Sequence, residues 1–325
     1  MFKMFSRTFQ CTRTGALAAL LGFWLALAAA GALAQEKSTI VIAAPFSGTH
    51  APLGVLIQAA ASALERDHET ILIDTGCDVE MANQAALEIL SVSPDMVLGV
   101  PCIDSFDALA PVLIEAGVPM TVIGLQTPDV TRDKDGLVQR VAPTLQQIHA
   151  KLAAYLGQVW RDVPFAIVDD GTLSGRLLAE QVGGTLAEKS LEPIFRDTYR
   201  PLLSTQAALV RRLNRAGVQH VILGGDAFDA ATIGADAARL GVSLSIAGGP
   251  NLLGTLDDGQ LPDGTIIASA LPFSDLVALA INTLTLNTRK IGFDADGETL
   301  VDLSIIQAVQ DGTLTTIVPS PALSE

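Results

Sequence analysis

Residues 95–131 read as strand, loop, helix and strand, with polar residues gathered where the strands end, and few architectures other than a layered α/β sheet accept that order. Met96-Val97-Leu98-Gly99-Val100 is the short apolar run that a parallel strand buried on both faces requires. Ser105 stands where it would cap a helix running to about Ala116, and Gly117 would stop that helix. A second strand over residues 119–124 follows at once. Ligands of open α/β sheets bind outside the carboxyl ends of the strands, which points to residues 101–105 and 125–127.

The same alternation runs along the rest of the chain. Upstream, strands are expected at 39–44 and 70–74, and amphipathic helices at 52–66 and 79–90. The pattern restarts after the charged turn Arg132-Asp133-Lys134-Asp135-Gly136. Helices then fall at 145–160, 174–189, 205–216, 227–240 and 273–285, with Ser174 as the cap of the second. Strands fall at 165–169, 194–199, 220–224, 243–247 and 265–270, and a terminal hairpin of 300–309 and 314–318 turns at Asp311-Gly312. Repeated strand-helix-strand order favours parallel sheets covered on both faces, joined by right-handed crossovers.

Lys3, Arg7 and Arg13 precede an apolar run over residues 16–34, and Ala32-Leu33-Ala34 before Gln35 fits a small-x-small cleavage site. A signal peptide cleaved after Ala34 is the expectation, which makes the chain periplasmic. A retained anchor is the alternative, because the run approaches the ~20 residues that span a bilayer. Residues 35–325 suit two lobes better than one large core. Three of the 20 basic residues and none of the 35 acidic ones lie before residue 35, so the remainder carries a net charge of −18. That disfavours nucleic acid and anionic membrane surfaces as partners.

Only Cys77 and Cys102 lie beyond the leader, each just after an expected strand. If those strands are neighbours, their loops bring the Cα atoms within the ~4.4–6.8 Å that a disulfide needs, the natural state in an oxidising compartment. Two buried free thiols are the alternative. Neither cysteine has the basic surroundings that favour a reactive thiolate.

Enzyme signatures are scarce. Ser174 in Gly171-Thr172-Leu173-Ser174-Gly175 does not stand in G-x-S-x-G, and His50, His68, His149 and His220 are isolated from one another, without metal-ligand spacing. Gly224-Gly225 and Gly248-Gly249 follow strands but do not continue into a phosphate-binding pattern, so tight turns explain them. Asp169, Asp170 and Asp226 also follow strands, as solvated loop acids or as contacts for a cationic or hydroxylated ligand.

Taken in order, Ala44-Pro45-Phe46-Ser47-Gly48, Ala51-Pro52-Leu53-Gly54, the positions of Cys77-Asp78 and Cys102, and Glu115-Ala116-Gly117-Val118-Pro119 form a recognisable series. Thr127-Pro128-Asp129-Val130-Thr131, Ile222-Leu223-Gly224-Gly225 and Phe293-Asp294-Ala295-Asp296-Gly297 continue it. The series resembles the periplasmic solute-binding proteins of branched-chain amino acid ABC transporters, the leucine/isoleucine/valine type, over residues 39–318. The resemblance implies a type I periplasmic-binding-protein fold: two doubly wound parallel-sheet lobes joined by three hinge crossovers, with a small ligand enclosed between them. Lobe one would comprise residues 35–143 plus about 271–290, and lobe two 144–270 plus about 291–325. It further implies a monomer that needs no cofactor, is not an enzyme, and delivers a small molecule to an ABC permease of the inner membrane. A periplasmic sensor or accessory protein acting on another partner is the alternative.

The departures from that family's pattern concern the ligand. Ile103 follows Cys102 where a serine is expected, and Leu125-Gln126 occupy the place of an Ala-Thr pair. Leu53 and Leu173 replace aromatic positions, Asp226 a tyrosine and Pro250 an acid. A zwitterion buried without replacement partners loses ~2–7 kcal/mol per unpaired polar group, so a less polar ligand than a free α-amino acid is expected. The candidate contacts are Phe46, Ser47, His50, Ile103, Asp104, Ser105, Leu125, Gln126, Leu173, Asp226 and Phe228. Phe46 and the leucines would form apolar walls, while Asp104, Ser105, Gln126 and Asp226 orient polar groups.

Overall fold

The computed structural model describes residues 37–132, 134–256, 259–285 and 291–323. The expected leader, residues 1–34, and residues 286–290 of the expected return to lobe one lie outside them. In chain order the first part gives β1 (Ser38–Ala44), α1 (Ala51–Ala61), β2 (His68–Asp74), α2 (Val79–Ser91), β3 (Met96–Gly99), α3 (Ile103–Glu115), β4 (Met120–Ile123) and β5 (Val138–Val141). The second part gives α4 (Leu145–Val159), β6 (Phe165–Asp169), α5 (Leu173–Ala187), β7 (Phe195–Thr198), α6 (Ala207–Arg215), β8 (His220–Gly224), α7 (Ala227–Arg239), β9 (Ser245–Gly248) and β10 (Ile266–Ala270). It closes with α8 (Phe273–Leu284), β11 (Ser304–Gln310) and β12 (Thr313–Val318).

Two sheets result. The first has the order β2-β1-β3-β4-β5, with β1–β3, β3–β4 and β4–β5 paired in parallel. The second has the order β12-β11-β10-β9-β8-β6-β7, parallel from β10 to β7, with β11 and β12 added antiparallel at one edge. Strands β1, β4, β6 and β8 are buried along nearly their whole length, as expected where helices cover both faces. Ile40, Ile42 and Leu98 pack on one face of the first sheet with α1 and α8, and Val41, Val97 and Val122 on the other with α2 and α3. In the second sheet Ile167 and Ile222 face α4 and α5, while Val168 and Leu223 face α6 and α7.

Each sheet reverses its strand order once. In the first, the chain steps from β1 outward to β2 and then back to β3 on the other side; in the second, from β6 to β7 and back to β8. The loops leaving β1 and β3, and those leaving β6 and β8, diverge there and leave a crevice at the strand ends.

Several expectations are corrected. Ser105 does not cap α3: Cys102 holds the N-cap position, and Ser105 lies inside the helix, fully buried, donating its hydroxyl to the Thr75 carbonyl at 3.4 Å. Ser174 is likewise inside α5, and Thr172 is the cap, accepting from the Gly175 amide at 3.1 Å. Cys77 and Cys102 are joined in a disulfide with Cα atoms 5.4 Å apart, yet β2 and β3 are not neighbours, because β1 lies between them. The loops after β2 and β3 therefore meet across the end of β1. Strand β5 was not foreseen. Its four residues include Gln139 and Arg140, and a charged residue hides a strand whose burial depends on a partner far along the chain.

That partner is Glu298. Arg140 is fully buried and forms an ion pair with Glu298, which also accepts from the Thr131 hydroxyl, while the Arg140 amide donates to the Gly297 carbonyl at 2.9 Å. Ile291 and Leu303 pack into the same core cluster as Ile42 and Leu98, so residues 291–303 run beside the first sheet before the chain enters β11.

Two stability effects follow. Replacing both Cys77 and Cys102 by alanine lowers the unfolding free energy by about 3 kcal/mol, from the loop-closure entropy of a 25-residue separation, read by denaturant unfolding under non-reducing conditions. Glu298→Ala leaves the Arg140 guanidinium buried and unpaired and costs roughly 3–5 kcal/mol, whereas Arg140→Met combined with Glu298→Leu recovers most of the loss.

Candidate ligand-binding site

At the first reversal point, the loop after β1 is held by Asp74 at the end of β2. Its Oδ1 accepts from the amides of Phe46 at 2.8 Å and Gly76 at 2.9 Å. Burial by itself would raise the Asp74 pKa, but hydrogen bonds from the Ser47 side chain and from the loop amides outweigh it and hold the carboxyl below its ordinary value. Phe46 therefore leans half-buried on the core, with Ser47 and His50 exposed beside it. Ile103 and Asp104, exposed in the first turn of α3, stand on the loop that the disulfide ties to Cys77. These five expected residues are brought to one end of the first sheet.

At the second reversal point the acids serve the backbone. Asp169 accepts from the Gly171 amide at 2.9 Å, Asp170 from the Thr172 amide at 2.9 Å, and Asp226 caps α7 by accepting from the Asp229 amide at 2.9 Å. Close helix-to-strand approach explains the glycines here: a Cβ on Gly224 would stand 2.2 Å from the Gly175 carbonyl oxygen, so α5 begins in direct backbone contact with the end of β8. Behind the loop, fully buried Asp229 accepts from the Leu202 amide at 2.9 Å and from the Tyr199 hydroxyl at 3.4 Å. Burial pushes both the Asp229 carboxyl and the Tyr199 phenol up, the phenol further because the Asp229 carboxylate lies beside it.

Between the two sheets lies a cleft of about 370 Å³. Gln126, from the loop after β4, and Phe273, the first residue of α8, border it from the side of the first sheet. From the second come Pro250, Leu253, Ser269 and Gln307, with the Ser269 hydroxyl 3.2 Å from Gln307 Oε1. Among the described residues, no charged side chain lines this cleft.

The remaining expected contacts lie elsewhere. Leu125 is only 6 % exposed and packs in the core around β3 and α3, and Ser105 is fully buried against the Thr75 carbonyl. Leu173 is 86 % exposed in the first turn of α5. Phe228 borders a different surface groove, with Ser204, Ala231 and Gln260, on the outer side of α7.

Phe273 escaped the sequence reading although the rule of strand ends reaches it, three residues beyond β10. Ser269 and Gln307 gave no such signal, since both sit inside strands. A second, smaller cavity was missed for the same kind of reason: its buried His149 occupies an interior helical position that reads as packing. His149 Nδ1 lies 2.7 Å from Gln181 Oε1. Burial lowers the His149 pKa, against the opposing pull of the Gln181 bond, and burial lowers that of His220 as well.

No family model matches the chain. In sequence it is similar to the leucine-, isoleucine-, valine-, threonine- and alanine-binding protein of Pseudomonas aeruginosa, 24% identical over 230 residues, 67% of this chain and 60% of that protein. The chain thus matches about three fifths of that relative's length. In structure it is similar to a putative branched-chain amino acid ABC transporter protein from Rhodospirillum rubrum, with TM-score 0.70 and 17% identity, covering 86% of this chain and all of that one. A solute-binding protein of an ABC transporter from Rhodopseudomonas palustris, in complex with 3,4-dihydroxybenzoic acid, matches with TM-score 0.57 and 14% identity over 89% of this chain and 100% of its own. The chain has the type I periplasmic-binding-protein fold that these solved structures share. Among the described residues, no helix is long and apolar enough to cross a membrane.

A pH effect tests the buried histidines. The unfolded chain takes up a proton at His149 near pH ~6.5, and the folded chain resists it, so stability is present above that value and falls as pH drops through it. The expected result is a thermal midpoint that declines less between pH 7 and 5 in His149→Gln than in the unaltered protein.

Proposed function

We propose that this protein is an exported, monomeric solute-binding protein that encloses a small, weakly polar organic ligand between its two sheets and presents it to an ABC permease. The observation that carries the reading is the uncharged lining of the 370 Å³ cleft: apolar Pro250, Leu253 and Phe273 beside the amides of Gln126 and Gln307. Such a surface buries carbon and satisfies a few neutral polar groups, but offers no counter-charge to an α-ammonium or α-carboxylate. The complex with 3,4-dihydroxybenzoic acid supports one part of it, the lack of an α-amino group, since a protein of this fold there holds a ligand without one, though with a carboxylate. In this reading Phe46, Ser47, His50, Ile103 and Asp104 form the rim on one side, and Leu173 and Asp226 the rim on the other. Export with cleavage after Ala34 belongs to the same reading. The lobes divide near 143 and 270, and the packing of Ile291 and Leu303 on the first sheet draws the third crossover toward residue 303.

The test is a thermal-shift screen against leucine, valine, neutral amides, alcohols, phenols and aromatic acids. A ligand at a hundred times its dissociation constant stabilises the folded state by about 2.7 kcal/mol, enough to move the midpoint by several degrees. Neutral compounds are expected to raise the midpoint, with the rise reduced by Gln126→Ala and by Phe273→Ala. A shift with leucine or valine that these substitutions leave intact overturns the reading.

A further inference from the structure

Strand β7 is the outermost strand at one end of the second sheet and pairs with β6 alone. The outer row of its backbone groups has no strand partner, which is the arrangement that accepts an added strand. Burial alternates along this segment. Phe195 and Tyr199 pack on the side of the sheet covered by α6 and α7, and Asp197 pairs with Arg212 of α6 at 2.6 Å. Ile194, Arg196, Thr198 and Arg200 alternate with them and are exposed, Ile194 by 55 %.

The arginines of that face are unpaired. Arg196 lies against α5 where Gly183 makes room for it, since a Cβ there would stand 3.0 Å from a guanidinium nitrogen. Arg176, in the first turn of α5, reaches the far end of the strand: a Cβ on Gly171 would lie 3.8 Å from its guanidinium and 3.3 Å from the Thr198 methyl. Among the described residues, none of Arg176, Arg196 and Arg200 forms an ion pair. Asp169 stands at the end of β6 beside Thr198, but its carboxylate already accepts from the Gly171 amide at 2.9 Å and the Thr198 hydroxyl at 3.2 Å. Charge along the chain is divided in the same way. Residues 171–219 hold 7 basic and 4 acidic side chains, a net charge of +3, whereas the rest of the chain beyond residue 34 holds 10 and 31, a net charge of −21.

We propose that the β7 edge docks an extended acidic segment of another polypeptide as an added strand, with carboxylates facing Arg196 and Arg200 and an apolar side chain facing Ile194. Backbone bonds would supply affinity and the facing side chains the choice of partner. Side chains on one face of a strand recur every second residue, so the two acids must stand four residues apart, about 13 Å, to meet both arginines. A second copy of this chain does not fit, because pairing β7 with itself sets arginines beside arginines. An anionic lipid surface would meet the charges but leave the outer backbone groups unpaired.

The test uses three nine-residue peptides of threonine and valine that differ only in their acids. One carries two glutamates four residues apart, one has the second glutamate moved by a single position, and one has glutamines in place of both. Calorimetry with the purified protein is expected to show the first binding about three- to tenfold tighter than either of the others, the size of two cross-strand ion pairs. Arg196→Glu combined with Arg200→Glu removes that preference while leaving the thermal midpoint unchanged, since both side chains are exposed. Hydrogen exchange in the unaltered protein is expected to slow at residues 194–200 when the first peptide is added, and not at β12, the opposite edge. Equal binding of the two glutamate peptides, a preference that survives the double substitution, or protection placed elsewhere overturns the proposal. So does tighter binding of phosphatidylglycerol vesicles than of the first peptide. The edge stands apart from the cleft, so thermal shifts with small ligands persist in the double variant if the solute-binding reading holds, whatever the peptides do.

Discussion

A parallel strand buried on both faces has no room for polar side chains along its length, and that constraint orders the whole molecule. Ile40, Val41 and Ile42 face opposite helix layers in succession, and so do Ile167 and Val168 in the second sheet. Polar residues are driven to the strand ends, where the reversal of strand order parts the loops and opens a crevice. What happens there is then a matter of how those loops are fixed. In the first sheet Asp74 and the disulfide fix them; in the second, Asp169, Asp170 and Asp226 do, with Gly175 pressed against Gly224.

This explains where the acidity of the chain goes. Acids at the strand ends are spent as turn and cap acceptors, and Asp229 and Asp236 order the segment around residues 202–206 from behind. The cleft between the sheets is left with amides and hydroxyls. A chain of strongly negative charge thus presents an uncharged lining, because Asp74, Asp169, Asp170 and Asp226 accept hydrogen bonds from their own loops.

The elements that a local pattern determines were legible in the sequence: β6 and β8 begin and end where their apolar runs do, and α2 and α7 begin at the residues expected. What was not legible depended on a second residue far away. Strand β5 needs Glu298 before Arg140 can be buried. The helix caps turned on loop geometry, which selects Cys102 and Thr172 over the serines two or three residues on. Phe46, Ser47 and Gln126 are reachable from strand ends, but Leu125 turns into the core, and sequence does not show which way a residue after a strand turns. Ser269 and Gln307 line the cleft from inside β10 and β11, which pair only in the assembled sheet.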